Sequence, residues 1–133
     1  MNTNETRTII IVEPDGTIRK AGADFMLLAD WQGLVGGRIE AVPGEKGTVL
    51  VIDDEGKLKR KPINPVATAL FTGWDMLCGT VVVATMCEDE NGERNICGMT
   101  DEQTADVYGF LCEEKAIIDK IAAGETPVVP PTL

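Results

Sequence analysis

The stretch Leu34–Pro65, LVGGRIEAVPGEKGTVLVIDDEGKLKRKPINP, constrains the fold more than any other part of the chain. Arg38–Val42 alternates polar and apolar side chains, the period of a strand with one buried face. Thr48–Ile52, TVLVI, is strongly apolar, as a strand in the middle of a sheet would be. The intervening Pro43-Gly44-Glu45-Lys46-Gly47 is a loop, so the two runs read as neighbouring strands. Gly36-Gly37 permits positive φ and stops whatever helix arrives from the N-terminal side. Asp53-Asp54-Glu55-Gly56 is a turn, and Lys57–Lys61 leaves it as a strand expected at a sheet edge. Pro62 and Pro65 cannot donate to a ladder and end the regular structure.

The flanking segments supply partners for these strands. Thr8–Glu13 is a β-branched run, Pro14-Asp15-Gly16 a turn, and Thr17–Lys20 a returning strand, which together predict an opening hairpin. Asp24 caps an expected helix reaching about Val35, with Phe25, Leu28, Trp31 and Val35 on its apolar face and Leu27 and Leu34 widening it. Trp31 reads as a core anchor, with a ligand-stacking platform as its alternative. Val66–Phe71 fits a short helix or an irregular crossing. Thr80–Met86 is a second buried strand. Asn91-Gly92 predicts a tight turn that brings Asn95–Cys97 back alongside it. Thr100 and Gln103 have the spacing of a capping box, opening a helix that carries Val107, Tyr108, Leu111, Cys112, Ile118 and Ile121 and ends near Gly124. These elements predict one α+β domain over residues 1–124: an N-terminal hairpin, a helix, a mainly antiparallel mixed sheet and a C-terminal helix. The early order β-β-α-β-β permits a β-grasp-like arrangement. Residues 125–133 form a Pro-rich tail expected to be flexible.

The chain has 22 acidic and 12 basic residues, a net charge of −10. That balance opposes direct binding to nucleic acid or to anionic membranes, and suits a basic partner or mimicry of DNA. The only apolar run near the start, Ile9–Val12, is far shorter than the roughly 20 residues of a membrane span. A cytoplasmic protein with reduced, buried cysteines is therefore expected.

There is no histidine, which removes imidazole-based nucleophile activation and any His-containing zinc site. Cys78, Cys87, Cys97 and Cys112 lack the close pairing of structural zinc ligands. Gly33–Gly37 follows a helix instead of opening one, the wrong order for a phosphate loop. No cofactor is implied. A metal-dependent hydrolase built on carboxylates is the remaining enzymatic reading. Four of the 12 basic residues, Lys57, Lys59, Arg60 and Lys61, cluster in one segment. They read either as a lysine-rich edge that resists aggregation or as a phosphate-binding patch joined by Arg38 and Asn64.

The strings VGGRIEAVP (Val35–Pro43), DEGKL (Asp54–Leu58), PINP (Pro62–Pro65), WDMLCGT (Trp74–Thr80) and MTDEQ (Met99–Gln103) occur in an order that resembles the domain-of-unknown-function family numbered 3846. The resemblance runs from about Thr8 to Leu111. Arg38 stands where that family often has an aromatic residue, and Pro65 where it often has a basic one. The resemblance implies a small accessory protein of phages or other mobile elements, and it transfers no catalytic residue. On that basis the expected role is a non-enzymatic binding protein that counteracts host defence by sequestering a small phosphorylated or nucleotide ligand. Arg38, Arg60 and Asn64 would hold phosphate or sugar oxygens, and Trp74 or Trp31 would stack on a base. The alternative is an acidic protein-interaction module or DNA mimic that binds a host protein. A homo-oligomer is left open.

Overall fold

The computed structural model describes residues 7–23 and 27–124. Six antiparallel strands form one sheet. β1 (Thr8–Val12) and β2 (Ile18–Gly22) make the opening hairpin, followed by α1 (Leu28–Val35), β3 (Ile39–Pro43) and β4 (Val49–Asp53). α2 (Pro65–Leu70), β5 (Val81–Glu88), β6 (Arg94–Cys97) and α3 (Asp101–Ala122) complete the chain. The expected β-β-α-β-β order is present, and every strand pair is antiparallel. The strand order is β2-β1-β5-β4-β3, with β6 also paired to β5.

β5 explains why the second buried run lacks alternation. Val82 opposes Ile11 of β1 on one side and Val51 of β4 on the other. Its two faces are both covered, so Val81, Val82, Val83 and Ala84 are all fully buried. On one face, Ile10, Val12, Leu50, Val81 and Val83 pack against Val66 and Leu70 of α2 and Val107 and Leu111 of α3. On the other, Ile9, Ile11, Val51 and Val82 pack against Trp31 and Val35 of α1. Each such side chain contributes about 1.5–3 kcal/mol through burial. Trp31 is thus a core anchor and not a stacking platform.

Local chemistry sets the element ends. Gly16 (φ 95°) closes the β1–β2 turn, and Asp15 accepts from the Thr17 N–H. Asn91-Gly92 turns β5 into β6 as expected, with Asp89 accepting from the Asn91 and Glu93 N–H groups. The Thr100 hydroxyl accepts from the Gln103 N–H at the start of α3. The reciprocal half of that capping box is absent. The Gln103 amide instead donates to the Lys46 and Gly47 carbonyls and fastens the β3–β4 loop to α3.

Several expectations are corrected. α1 starts at Leu28, with the Asp30 carboxylate accepting from the Leu27 N–H. Leu27 and Leu28 are exposed, so the apolar face narrows to Trp31 and Val35 with Leu34 half-buried. The Asp24 cap and Phe25 lie outside the described residues, as does the tail at 125–133. Lys57–Lys61 is not an edge strand but part of a compact turn. The cysteines are not four buried thiols: Cys87 and Cys97 form a disulfide, Cys78 is half-buried and Cys112 exposed. The β5–β6 register places Cys87 and Cys97 diagonally across the hairpin, 6.0 Å apart at Cα, which a ten-residue separation does not announce.

Candidate functional site

Three segments meet at the end of the sheet where α1 stops and β4 ends: the 54–61 turn, the Pro62–Pro65 crossing and the 71–78 loop. The Ile63–Cys78 bridge, the Asn64 N–H to Leu77 carbonyl bond (2.8 Å) and the Gly79 N–H to Pro62 carbonyl bond (2.7 Å) hold them side by side. An ion pair between Lys57 and Asp75 ties the turn to the loop directly.

The basic cluster is largely consumed in building this corner. Asp53, at the end of β4, has a side chain only 1% exposed. Its carboxylate accepts from Lys59 Nζ (2.8 Å), Lys61 Nζ (2.7 Å) and the Glu55 N–H (2.9 Å). Burial pushes this carboxyl up, but the two lysines and the backbone N–H outweigh it and hold the group well below its ordinary value. Lys61 Nζ also donates to the Val35 carbonyl (2.7 Å) and Lys59 Nζ reaches the Gly36 carbonyl (3.4 Å). Both cations therefore sit at the negative end of α1, where its last carbonyls lack helical partners. Gly37 makes this approach possible. A Cβ there would lie 2.6 Å from both Asp53 Oδ1 and Lys59 Nζ.

Within the 54–61 turn, Lys59 N–H bonds to Glu55 O, Arg60 N–H to Lys57 O and Lys61 N–H to Gly56 O, each at 2.9 Å. The last two bonds are those of a Schellman motif, which places Arg60 at the position that glycine ordinarily fills. Arg60 has φ 58° accordingly, a conformation costing a side-chain-bearing residue about 1–2 kcal/mol. It is exposed and has no ion-pair or hydrogen-bond partner for its guanidinium among the described residues.

The other residues expected at a site have different surroundings. Arg38 is exposed and ion-paired to Asp54 (3.1 Å), with Glu55 at 4.0 Å. Trp74 is fully exposed on the 71–78 loop. Asn64 is fully buried: its amide donates to the Val12 carbonyl (2.8 Å) and the Gly79 carbonyl (2.9 Å), while its oxygen accepts from the Ala67 N–H (3.2 Å) at the start of α2. Both amide protons are thus spent on β1 and the strand entry of β5, and the oxygen on α2. Arg60 and Trp74 occupy adjacent segments; Arg38 is tied to the start of the turn through Asp54, and Asn64 is buried.

Sequence reasoning passed over the apolar residues of this face. Leu58 (80% exposed), Ile63 (51%) and Met76 are exposed on the same three segments as Trp74. Leu58 was masked by its place in a presumed alternating strand; its isolation among Lys57, Lys59 and Arg60 was the available signal. Beside these residues is a cavity of about 260 Å³ lined by Glu40, Val42, Ile52, Phe71, Met76 and Leu77, with Lys57 and Asp75 at one side. Its carboxylates outnumber its single cation. No group of three or more Cys, Asp or Glu residues converges in a metal-binding arrangement among the described residues.

These features define a single α+β domain with an antiparallel sheet between helical layers and an exposed aromatic and cationic corner. The chain belongs to the family described as a domain of unknown function, DUF3846, whose match covers residues 6–111. No curated protein and no solved structure matches the chain. No helix among the described residues is long and apolar enough to cross a membrane.

Proposed function

We propose that this protein is a non-enzymatic interaction module that binds another protein through the corner formed by the 54–61 turn and the 71–78 loop. One observation carries the reading. A fully exposed Trp74, with Leu58, Ile63 and Met76 also exposed, lies on the segments that meet here, and the 54–61 turn carries Arg60 with a left-handed backbone conformation and an unpaired guanidinium. Trp and Arg beside apolar neighbours are the residue types that dominate protein interfaces, because they offer large contact area and charged hydrogen bonds together. Solvating four large apolar side chains on one corner is unfavourable unless a partner covers them. The accessory role implied by the family resemblance makes a host protein of a mobile element the partner.

Sequestration of a small phosphorylated ligand is the second reading, favoured by the unpaired Arg60 and, on the adjoining loop, an exposed stacking surface on Trp74. Magnitudes weigh against it. Lys57, Lys59, Lys61 and Arg38 are all held in ion pairs with carboxylates. The adjoining cavity is smaller than the roughly 300–1,000 Å³ of ordinary ligand pockets, and its lining would repel an anion.

A photo-crosslinking amino acid in place of Trp74, with a control in place of Glu113 on α3, tests the choice. Protein adducts formed from position 74 and not from position 113, and lost on Ile63→Ser, are the expected result. Equal yields from both positions, or retention of a nucleotide with no protein adduct, would reject the reading.

A further inference from the structure

The edge of β3 borders the same corner, and its backbone has an orientation that the ladder determines. The Gly44 N–H donates to the Thr48 carbonyl (3.0 Å) and the Arg38 carbonyl accepts from the Asp54 N–H (2.9 Å). Backbone groups of alternate residues in an antiparallel strand point the same way. Arg38, Glu40, Val42 and Gly44 therefore aim their amides and carbonyls at β4, while those of Ile39 and Ala41 point off the sheet. No described residue pairs with them. Beyond them the edge is closed, because Pro43 has no N–H and its carbonyl accepts from the Thr72 N–H (3.3 Å) and hydroxyl (3.2 Å). The opposite edge, β2, is defended by Arg19 and Lys20, the latter standing over the Tyr108 ring at 4.3 Å.

We infer that β3 accepts an extended segment of the partner protein as an additional strand, with a basic side chain opposite Glu40 and an apolar one opposite Val42. This deepens the proposed interaction role and rests on it. Ile39 and Ala41 offer two donors and two acceptors, the pattern by which a peptide adds to a sheet edge. Glu40 is exposed and without an ion-pair partner among the described residues. Val42 lies on the sheet face that carries the cavity, so a side chain opposite it reaches the space bounded by Phe71 and Leu77. Charge selects the occupant. A second copy pairing through Ile39 and Ala41 about a two-fold axis would set Glu40 directly against its own counterpart, a like-charge contact at the closest cross-strand spacing. A Lys or Arg there relieves it. With antiparallel addition the incoming strand reads apolar-x-basic, and an acidic residue two places further on meets Arg38.

The probe is a blocked peptide, Thr-Leu-Thr-Lys-Thr-Glu-Thr, titrated into the full chain and followed by amide NMR and hydrogen exchange. Binding that protects the Ile39 and Ala41 amides is expected, weakened roughly tenfold when the peptide Lys is replaced by Glu. Glu40→Lys, a change at an exposed side chain, should reverse that preference. Ala41→Pro removes one outward donor without touching the β4 ladder and should abolish binding. No binding, binding indifferent to the Lys and Glu exchange, or binding with Ile39 and Ala41 still exchanging freely would overturn the inference. So would a concentration-dependent doubling of mass that Ala41→Pro abolishes, which would seat a second copy there. If cross-links from position 74 persist in Ala41→Pro and Glu40→Lys but vanish on Ile63→Ser, the edge-strand inference falls and the interaction role stands. If all three variants leave them unchanged, both fall.

Discussion

Asn64 and Asp53 show how single polar side chains organise this molecule. Asn64 satisfies two buried carbonyls and caps α2 at once. Asn64→Ala would remove one hydrogen bond from each carbonyl and leave the Ala67 N–H uncapped, and an unpaired buried polar group costs about 1–3 kcal/mol. A loss of about 2–4 kcal/mol in urea unfolding is the expected outcome; a change below about 0.5 kcal/mol would mean that water or rearrangement replaces the amide. Asp53 predicts a pH dependence. Its folded pKa lies below the ordinary 3.8, so its stabilising contribution is complete above that value and is lost as pH falls through the folded value. Between about pH 4 and pH 2 the urea midpoint of the wild type should fall more steeply than that of Asp53→Asn, which has no carboxyl to protonate. Parallel slopes would show that the cluster does not hold the carboxylate charged.

At the scale of elements, strands and turns were legible and their use was not. The opening hairpin, β3, β4, β5 and α3 follow from β-branched runs, alternation, Gly and Asn-Gly turns and the Thr100 cap. Lys57–Lys61 was misread because Lys57, Lys59 and Lys61 have the period of a strand, while the Gly56-anchored turn and the buried Asp53 that claim them are tertiary facts. Asn64 was read as a ligand contact for the same reason: a polar residue between prolines shows no sign from sequence that three elements converge on it. The disulfide was hidden by its diagonal placement across β5 and β6. It closes a short loop, and the chain-entropy cost it removes from the unfolded state is about 2–3 kcal/mol. Under reducing conditions the melting temperature should fall accordingly, while Cys87→Ser/Cys97→Ser should be insensitive to reductant. Thiol titration of the unfolded, unreduced protein should find two reactive groups, Cys78 and Cys112; four would contradict the pairing.

For the whole molecule, the distribution of charge matters more than its sum. A net charge of −10 predicts avoidance of nucleic acid, yet the proposed binding corner is not its most acidic part. It is the place where three lysines are ion-paired to two carboxylates, apolar side chains stay exposed and one arginine remains unpaired. Four of the five strings that carry the family resemblance, VGGRIEAVP, DEGKL, PINP and WDMLCGT, converge there. They supply the α1 stop, the turn, the Asn64 crossing and the loop bearing Trp74, so the resemblance marks the frame of the corner. The proposed partner chemistry lay outside what sequence could show, because it depends on which cations the fold spends internally.

The most direct measurement is equilibrium unfolding of Arg60→Gly together with its cross-linking yield from position 74. If Arg60 holds its left-handed conformation for the sake of a partner, glycine relieves the backbone and stability rises by about 0.5–1 kcal/mol while protein adducts drop at least tenfold. A variant that is less stable than wild type and still forms the adducts would contradict this account, because Arg60 would then be serving the fold and not the interaction.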